Sequence, residues 1–253
     1  QFRFLVPLLM CHGRRSYRRI STFLNYYLYK NIVLLMPDVI WMHFDSFRGR
    51  IAFAENLSIS YNVFFTSWHI FFVLGFDRDM SDAVANSHPE LYKVGPAQTL
   101  FNLRVFSKWL LYAVLQGFMA WTIPYVALDV SPAKYYGKGE QAPFWMGSTT
   151  AFTCVVFITL LKLVIVSEHP CSWITVLPTL GAVACYFFGL FILGHTAIGR
   201  SLQPEMDRVP GEMLTNGTAL ACIILVPLAA LVLDVADKVS STLVYPTPLQ
   251  QVE

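Results

Sequence analysis

Charge is the scarce ingredient of this sequence. Asp, Glu, Lys and Arg make up 13% of its 253 residues, about half the share of an ordinary globular domain, while hydrophobic residues reach 55%. So few charges cannot cover a water-soluble fold of this size. The net charge of +2 provides no basic footprint for a nucleic acid. The five cysteines (Cys11, Cys154, Cys171, Cys185 and Cys222) show neither a CxxC pair nor metal-ligand spacing, which excludes a disulfide-stapled module and a cysteine-built metal site. A P-loop, a dinucleotide-binding glycine fingerprint, a nucleophile elbow and an HExxH helix are all missing. These residues are not equipped to hydrolyse a nucleotide. Alternating barrel patterning and fixed-period repeats are absent too. The composition is that of a membrane protein.

A bilayer core of roughly 30 Å needs about 20 apolar residues in a helix, because lipid offers no partner to a free backbone group. Six stretches reach that length: residues 23–44, 57–76, 105–127, 144–166, 173–194 and 217–236. The expected fold is an all-α membrane protein, a bundle of six transmembrane helices. Residues 1–22 read as a cytoplasmic lead-in helix, 23–238 as the membrane domain and 239–253 as a cytoplasmic tail. Arg3, Arg14, Arg15, Arg18 and Arg19 before the first span, with Arg78, Lys93, Arg104 and Lys108 after the second, put both termini inside. Arg48, Arg50, Lys134, Lys138, Arg200 and Arg208 fall on the opposite side, together with the sequons at Asn56 and Asn216. The chain opens in mid-helix at Gln1 without a methionine, as the cut edge of a larger protein would.

The informative residues are those that cost free energy where they sit. Lys30 is the eighth residue of the first span, about 11 Å deep at 1.5 Å per residue, farther than a lysine can snorkel. Lys or Asp at a helix centre costs about 2.5–3.5 kcal/mol on insertion scales, against about 0.3–0.6 gained per Leu, Ile, Val or Phe. Ten such apolar residues in this span could be cancelled by Lys30 and Asp38 together. The polar face, which includes Asn25, Tyr26, Tyr29 and Asn31, must therefore be covered by other helices or line a wet cavity. Two readings of Lys30 stay open: a functional ligand, or an anchor bonding a neighbour's carbonyls. Pro37 is expected to kink the helix and free a carbonyl, with Asp38 in an outer vestibule. In the second span Asn62, Thr66, Ser67 and His69 are polar, and Asn62 serves either helix packing or a ligand. Lys162 stands within about a turn of the inner end of its span, where it can snorkel, and reads as an anchor whose removal matters little. Asp234 and Asp237 read as boundary residues.

The runs Gln1-Phe2-Arg3-Phe4-Leu5, His12-Gly13-Arg14-Arg15-Ser16-Tyr17 and Tyr29-Lys30-Asn31-Ile32 closely resemble one family. They are similar to the entry into the fifth transmembrane helix of phospholipid flippases, the lipid-translocating branch of the P-type ATPases. Further matches follow in family order: Tyr61-Asn62-Val63-Phe64-Phe65-Thr66-Ser67, Phe76-Asp77-Arg78-Asp79-Met80-Ser81, Pro89-Glu90-Leu91-Tyr92 with Gly95, and Phe101-Asn102-Leu103-Arg104-Val105-Phe106 with Trp109. These motifs occupy about the first 110 residues; beyond them only span count and loop character agree.

The resemblance implies helices five to ten of a ten-helix pump that moves phospholipid from the outer to the cytoplasmic leaflet. It implies ATP and magnesium in the full-length protein, held upstream of Gln1, with none bound by this segment. Carried over residue by residue, Lys30, Asn31 and Asn62 are associated with head-group transport, and Tyr26 and Thr66 complete the candidate substrate-binding set. It also implies a two-span accessory subunit on the outer loops and last helix, no nucleic acid, and residence in the plasma membrane or Golgi and endosomal membranes. Three departures stand out: Arg15 where the family usually has Trp, Trp68-His69 where prolines often follow the Phe-Thr-Ser run, and the Pro37-Asp38 step. Head-group preference therefore does not carry over. The alternatives are a complete six-span channel or secondary transporter with Lys30 and Asp38 on an ion path, and a non-catalytic membrane scaffold.

Overall fold

The computed structural model describes residues 5–128, apart from 48, 50 and 81, and residues 141–243. Among the described residues there are helices and connecting turns and no strand. The charges at Arg48, Arg50, Lys134 and Lys138, residues 1–4 of the lead-in and the tail from 244 lie outside them. Six long helical stretches organise the rest: α1 (Arg14–Phe44), α2 (Glu55–Phe76), α3 (Leu103–Ala127), α4 (Gln141–Val166), α5 (Trp173–His195) and α6 (Gly217–Leu243). Five of them, α2 to α6, are long and apolar enough to cross a membrane, and the chain is an integral membrane protein. The exception is α1, whose arginines, Asn25, Lys30, Asn31 and Asp38 dilute its apolar content.

Side-chain caps start several of these helices. Asn102 accepts from the Val105 amide at 2.9 Å, and Ser172 from the Ile174 amide at 3.4 Å. Asn216 accepts from the amides of Thr218 and Ala219 at 2.9 and 3.1 Å. These contacts satisfy donors that the first helical turn leaves free. The two sequon asparagines are thus already engaged, Asn216 as a cap and Asn56 through a 3.2 Å bond to Gln203.

The most enclosed span is α4, which touches each of the other five long helices. Its buried hydroxyls turn back onto their own helix: Thr149 to the Trp145 carbonyl, Thr150 to Met146, Thr153 to Thr149 and Thr159 to Val155, at 2.7–3.0 Å. A central helix can therefore carry these polar residues without orphaned groups. On one flank α1 and α3 approach closely at Gly117. A Cβ there would come within 2.7 Å of the Met36 Cβ and 3.0 Å of the Val33 carbonyl. That carbonyl is the one Pro37, lacking an N–H, cannot bond; α1 nevertheless runs through Pro37 as one helix of 31 residues. Toward the C-terminal end of α1, Trp41 packs on Phe144 and Trp121 with ring centroids 4.9 and 5.9 Å apart, and Phe53 joins Trp121 to Phe152.

At the other end, charges fasten the start of α1 to the turn after α2. Arg14 grips Asp79 with two bonds of 2.6 and 3.0 Å, both side chains buried. Arg18 reaches Asp77 at 3.2 Å and Glu168 at 2.6 Å, and Arg19 donates to the Asp77 carbonyl at 2.8 Å. Burial pushes the Asp79 carboxyl up, but the Arg14 hydrogen bonds and the charges of Arg18 and Arg14 outweigh it and hold the group below its ordinary value.

Candidate functional site

The Tyr-Lys-Asn run sits near the middle of α1 and faces an irregular stretch of α2. From Tyr61 to Ser67 this helix is wound as a π-helix between two α-helical pieces. Two hydroxyls sit within the wider winding: Thr66 donates to the Tyr61 carbonyl at 2.8 Å and Ser67 to the Asn62 carbonyl, each five residues back. π-turns of this kind recur at functional sites because they re-aim side chains within a continuous helix.

Lys30 is fully buried, 0% exposed, against this turn. Its Nζ donates to Thr66 Oγ1 at 2.8 Å and stands 5.4 and 5.7 Å from the ring centres of Tyr27 and Tyr61. Tyr61 also donates to the Lys30 carbonyl at 3.1 Å, so α2 holds both the side chain and the backbone of this residue. No carboxylate among the described residues pairs with the ammonium. The neighbouring ring of Tyr27 is 46% exposed, so a single side chain separates Lys30 from the outer surface of the bundle.

The other four candidate residues surround this contact in different ways. Thr66 is the hydroxyl on Lys30. Asn62 lies four positions earlier on the π-turn, half-buried, and its sheltered Oδ1 accepts no hydrogen bond. Asn31 turns back to the Tyr27 carbonyl at 2.8 Å, at the edge of the site. Tyr26 faces inward and donates to the Thr159 carbonyl of α4 at 2.7 Å. Asp38 accepts from the Ala52 amide at 3.1 Å, fastening the loop between α1 and α2. The departures at Trp68 and His69 both face α5. Trp68 lies where a side chain on Gly181 would be, 2.7 Å from a Cβ placed there. Thr179 donates to the Thr175 carbonyl, so the His69 Nε2–H donates to Thr179 at 2.9 Å.

A second buried lysine requires a correction. Lys162 does not snorkel to the interface and Asp234 is not a boundary residue: their side chains are 4% and 5% exposed and form a direct ion pair. The reason is lateral cover. Depth along the helix axis leaves Lys162 close to the inner end, but Tyr29, Trp109 and Tyr112 enclose its ammonium at 4.9, 4.5 and 5.3 Å from their ring centres. Gln116, mid-span in α3, donates to Asp234 Oδ2 at 2.6 Å and to the Ala230 carbonyl at 3.0 Å, and accepts from the Tyr29 hydroxyl. The rule that singled out Lys30 applies equally to Gln116, which is flanked by Leu115 and Gly117. Asp237 is an outer neighbour, bonded by Tyr112 at 2.5 Å and Lys108 at 2.7 Å. A cavity of about 710 Å³ opens beside this centre, with Arg14, Lys108, Trp109, Tyr112 and Lys238 in its wall.

With this geometry in place, comparison with known proteins is direct. Residues 1–247 match the family described as phospholipid-translocating P-type ATPase C-terminal. A phospholipid-transporting ATPase of Schizosaccharomyces pombe is 30% identical over 261 residues, a stretch covering 100% of this chain and 20% of that protein. The phospholipid-transporting ATPase DRS2 of Saccharomyces cerevisiae is 30% identical over 92% of the chain and 17% of its own length. Human phospholipid-transporting ATPase IC is 27% identical over 100% of the chain and 20% of its own length. The chain thus spans about a fifth of the length of these relatives. By the match along nearly its whole length, it belongs to the C-terminal family of phospholipid-translocating P-type ATPases.

Proposed function

We propose that the chain is the C-terminal membrane part of an ATP-driven flippase that moves phospholipid from the outer to the cytoplasmic leaflet. In this reading α1 crosses the bilayer beside the five apolar helices, and the six spans correspond to helices five to ten of a P-type ATPase. Residues 1–22 are the cytoplasmic lead-in, 23–238 the membrane domain and 239–253 the cytoplasmic tail. ATP hydrolysis, with magnesium, belongs to the part of the protein outside this chain. Among the described residues no group of three His, Cys, Asp or Glu side chains is arranged to hold a metal ion, and no step here runs through one. The names of the relatives support the substrate class.

The observation that carries the reading is the bare ammonium of Lys30. A buried charge costs several kcal/mol unless it is paired, and a hydroxyl with two aromatic rings is a weak substitute for a carboxylate. A phospholipid phosphate passing between α1 and α2 supplies the missing charge, and low polarity around the site strengthens that attraction over its value in water. The Asn62 amide, with one acceptor free, and Asn31 at the rim offer hydrogen bonds to the rest of the head group. Thr66 holds Lys30 between guests, and Tyr26 fixes this part of α1 to α4. Acyl tails stay outside against the exposed Tyr27, Val63 and Phe64. An accessory two-span subunit on the outer loops and last helix, and residence in the plasma membrane or Golgi and endosomal membranes, complete the proposal.

In the complete protein, Lys30→Ala is expected to lower phospholipid-stimulated ATP hydrolysis at least tenfold, roughly the loss of one charge-assisted hydrogen bond. Full stimulation in a folded Lys30→Ala variant would return the residue to the anchoring role and reopen the channel and scaffold readings.

A further inference from the structure

Lys30 is held by Thr66 and the rings of Tyr27 and Tyr61. Its sequence neighbour Tyr29 is also fully buried and turns toward α3 rather than α2. There it begins an unbroken polar chain: the Tyr29 hydroxyl donates to Gln116, the Gln116 amide donates to Asp234 at 2.6 Å, and Asp234 pairs with Lys162. The chain closes on itself, since the Tyr29 ring lies 4.9 Å from the Lys162 ammonium and packs edge-on against Trp109 at 5.7 Å. One residue on, α1 and α3 approach closely at Gly117.

We propose that Tyr29, Gln116 and the Lys162–Asp234 pair are positioning residues for Lys30. The inference rests on the head-group reading given above and extends it to three helices that never touch the head group. Adjacent residues on one helix turn together, so whatever fixes Tyr29 against α3 and α6 also fixes the direction in which Lys30 leaves α1. The buried pair makes the fixed point stiff. Gln116 cannot rotate away without breaking its bonds to both the Tyr29 hydroxyl and one Asp234 oxygen. The chain holds α1 in the orientation from which Lys30 meets an arriving head group, and a broken chain leaves the ammonium poorly aimed.

The test uses the complete protein in mixed micelles with rising fractions of phosphatidylserine, phosphatidylethanolamine or phosphatidylcholine, reading the half-stimulating lipid fraction and the maximal ATPase rate separately. Tyr29→Phe and Gln116→Leu are each expected to raise the half-stimulating fraction roughly fivefold. The Tyr29→Phe/Gln116→Leu double variant should be no worse than the poorer single, because both cut the same link. Additive losses, or half-stimulating fractions equal to the parent's, would overturn the proposal. A paired replacement, Lys162→Met with Asp234→Leu, guards against misfolding. Parent-like thermal stability combined with a raised half-stimulating fraction supports positioning. A parent-like lipid response in that variant means the network only fastens helices, and the proposal falls. Lys30→Ala runs alongside: if it keeps full stimulation, the head-group reading fails and takes this inference with it. If it abolishes stimulation while Tyr29→Phe and Gln116→Leu behave as the parent, the positioning inference alone fails.

Discussion

Two lysines lie wholly inside this bundle, and their surroundings differ in kind. Lys162 has a carboxylate, three aromatic rings and, behind the carboxylate, a glutamine amide. Lys30, one helical position from a ring that encloses Lys162, has a threonine hydroxyl and two rings. The first ammonium is compensated by the protein itself, as a structural charge must be. The second is left short of one negative charge. Burial alone, which marks both, does not separate an anchor from a ligand; the degree of compensation does.

The sharpest way to break this contrast is to remove the partner of the compensated lysine. Asp234→Ala strands the Lys162 ammonium and should cost about 3–5 kcal/mol, read as a large fall in thermal midpoint and in folded yield. The opposite sign is expected at the other lysine. Lys30→Met removes an unpaired charge and should stabilise the complete protein by about 1–3 kcal/mol while abolishing lipid stimulation. Stability falling alike in both variants would show that Lys30 is as structural as Lys162.

Much of this was legible in the sequence, and the part that was not has a common cause. The spans were legible because bilayer thickness sets a length that composition must meet, and the runs at 105–127 and 173–194 match α3 and α5 to within two residues. Helix ahead of the first span is expected from the lead-in reading, but the change from π-helical to α-helical winding at Arg14 leaves no mark in hydropathy. The cost of Lys30 was visible, and so was its depth. The Lys162–Asp234 pair was hidden because its members are 72 residues apart, and position along one helix axis does not reveal what packs beside it. The π-turn at Tyr61–Ser67 leaves no trace in composition: the same seven residues would suit an ordinary α-helix, and only the folded backbone reveals the wider winding.

A smaller effect is expected at the hydroxyl that tethers Lys30. Thr66→Val keeps the shape of the side chain and deletes the hydroxyl at 2.8 Å from the ammonium. The loss should be about 1–2 kcal/mol in thermal stability, the order of one hydrogen bond to a charged group. The lipid response separates the two readings of Lys30. A ligand freed from its tether needs less lipid for half-stimulation, whereas an anchor deprived of its contact gains nothing from added lipid.

The smallest effect belongs to a pair that repeats the chemistry of Lys162 and Asp234 at the water's edge. Lys108 and Asp237 are 2.7 Å apart, with side chains 49% and 39% exposed against 4% and 5% for the buried pair. Water competes for both charges and salt screens them, so Lys108→Ala should change stability by no more than about 1 kcal/mol, and by less as salt rises. The two substitutions, Lys108→Ala and Lys162→Ala, remove the same ammonium from the same kind of partner, on the same helix α6, three residues apart on the acidic side. The main difference between the two sites is how far the surrounding side chains enclose the pair. If thermal midpoints fall equally, lateral enclosure by Tyr29, Trp109 and Tyr112 does not strengthen the inner pair, and compensation loses its power to tell Lys162 from Lys30.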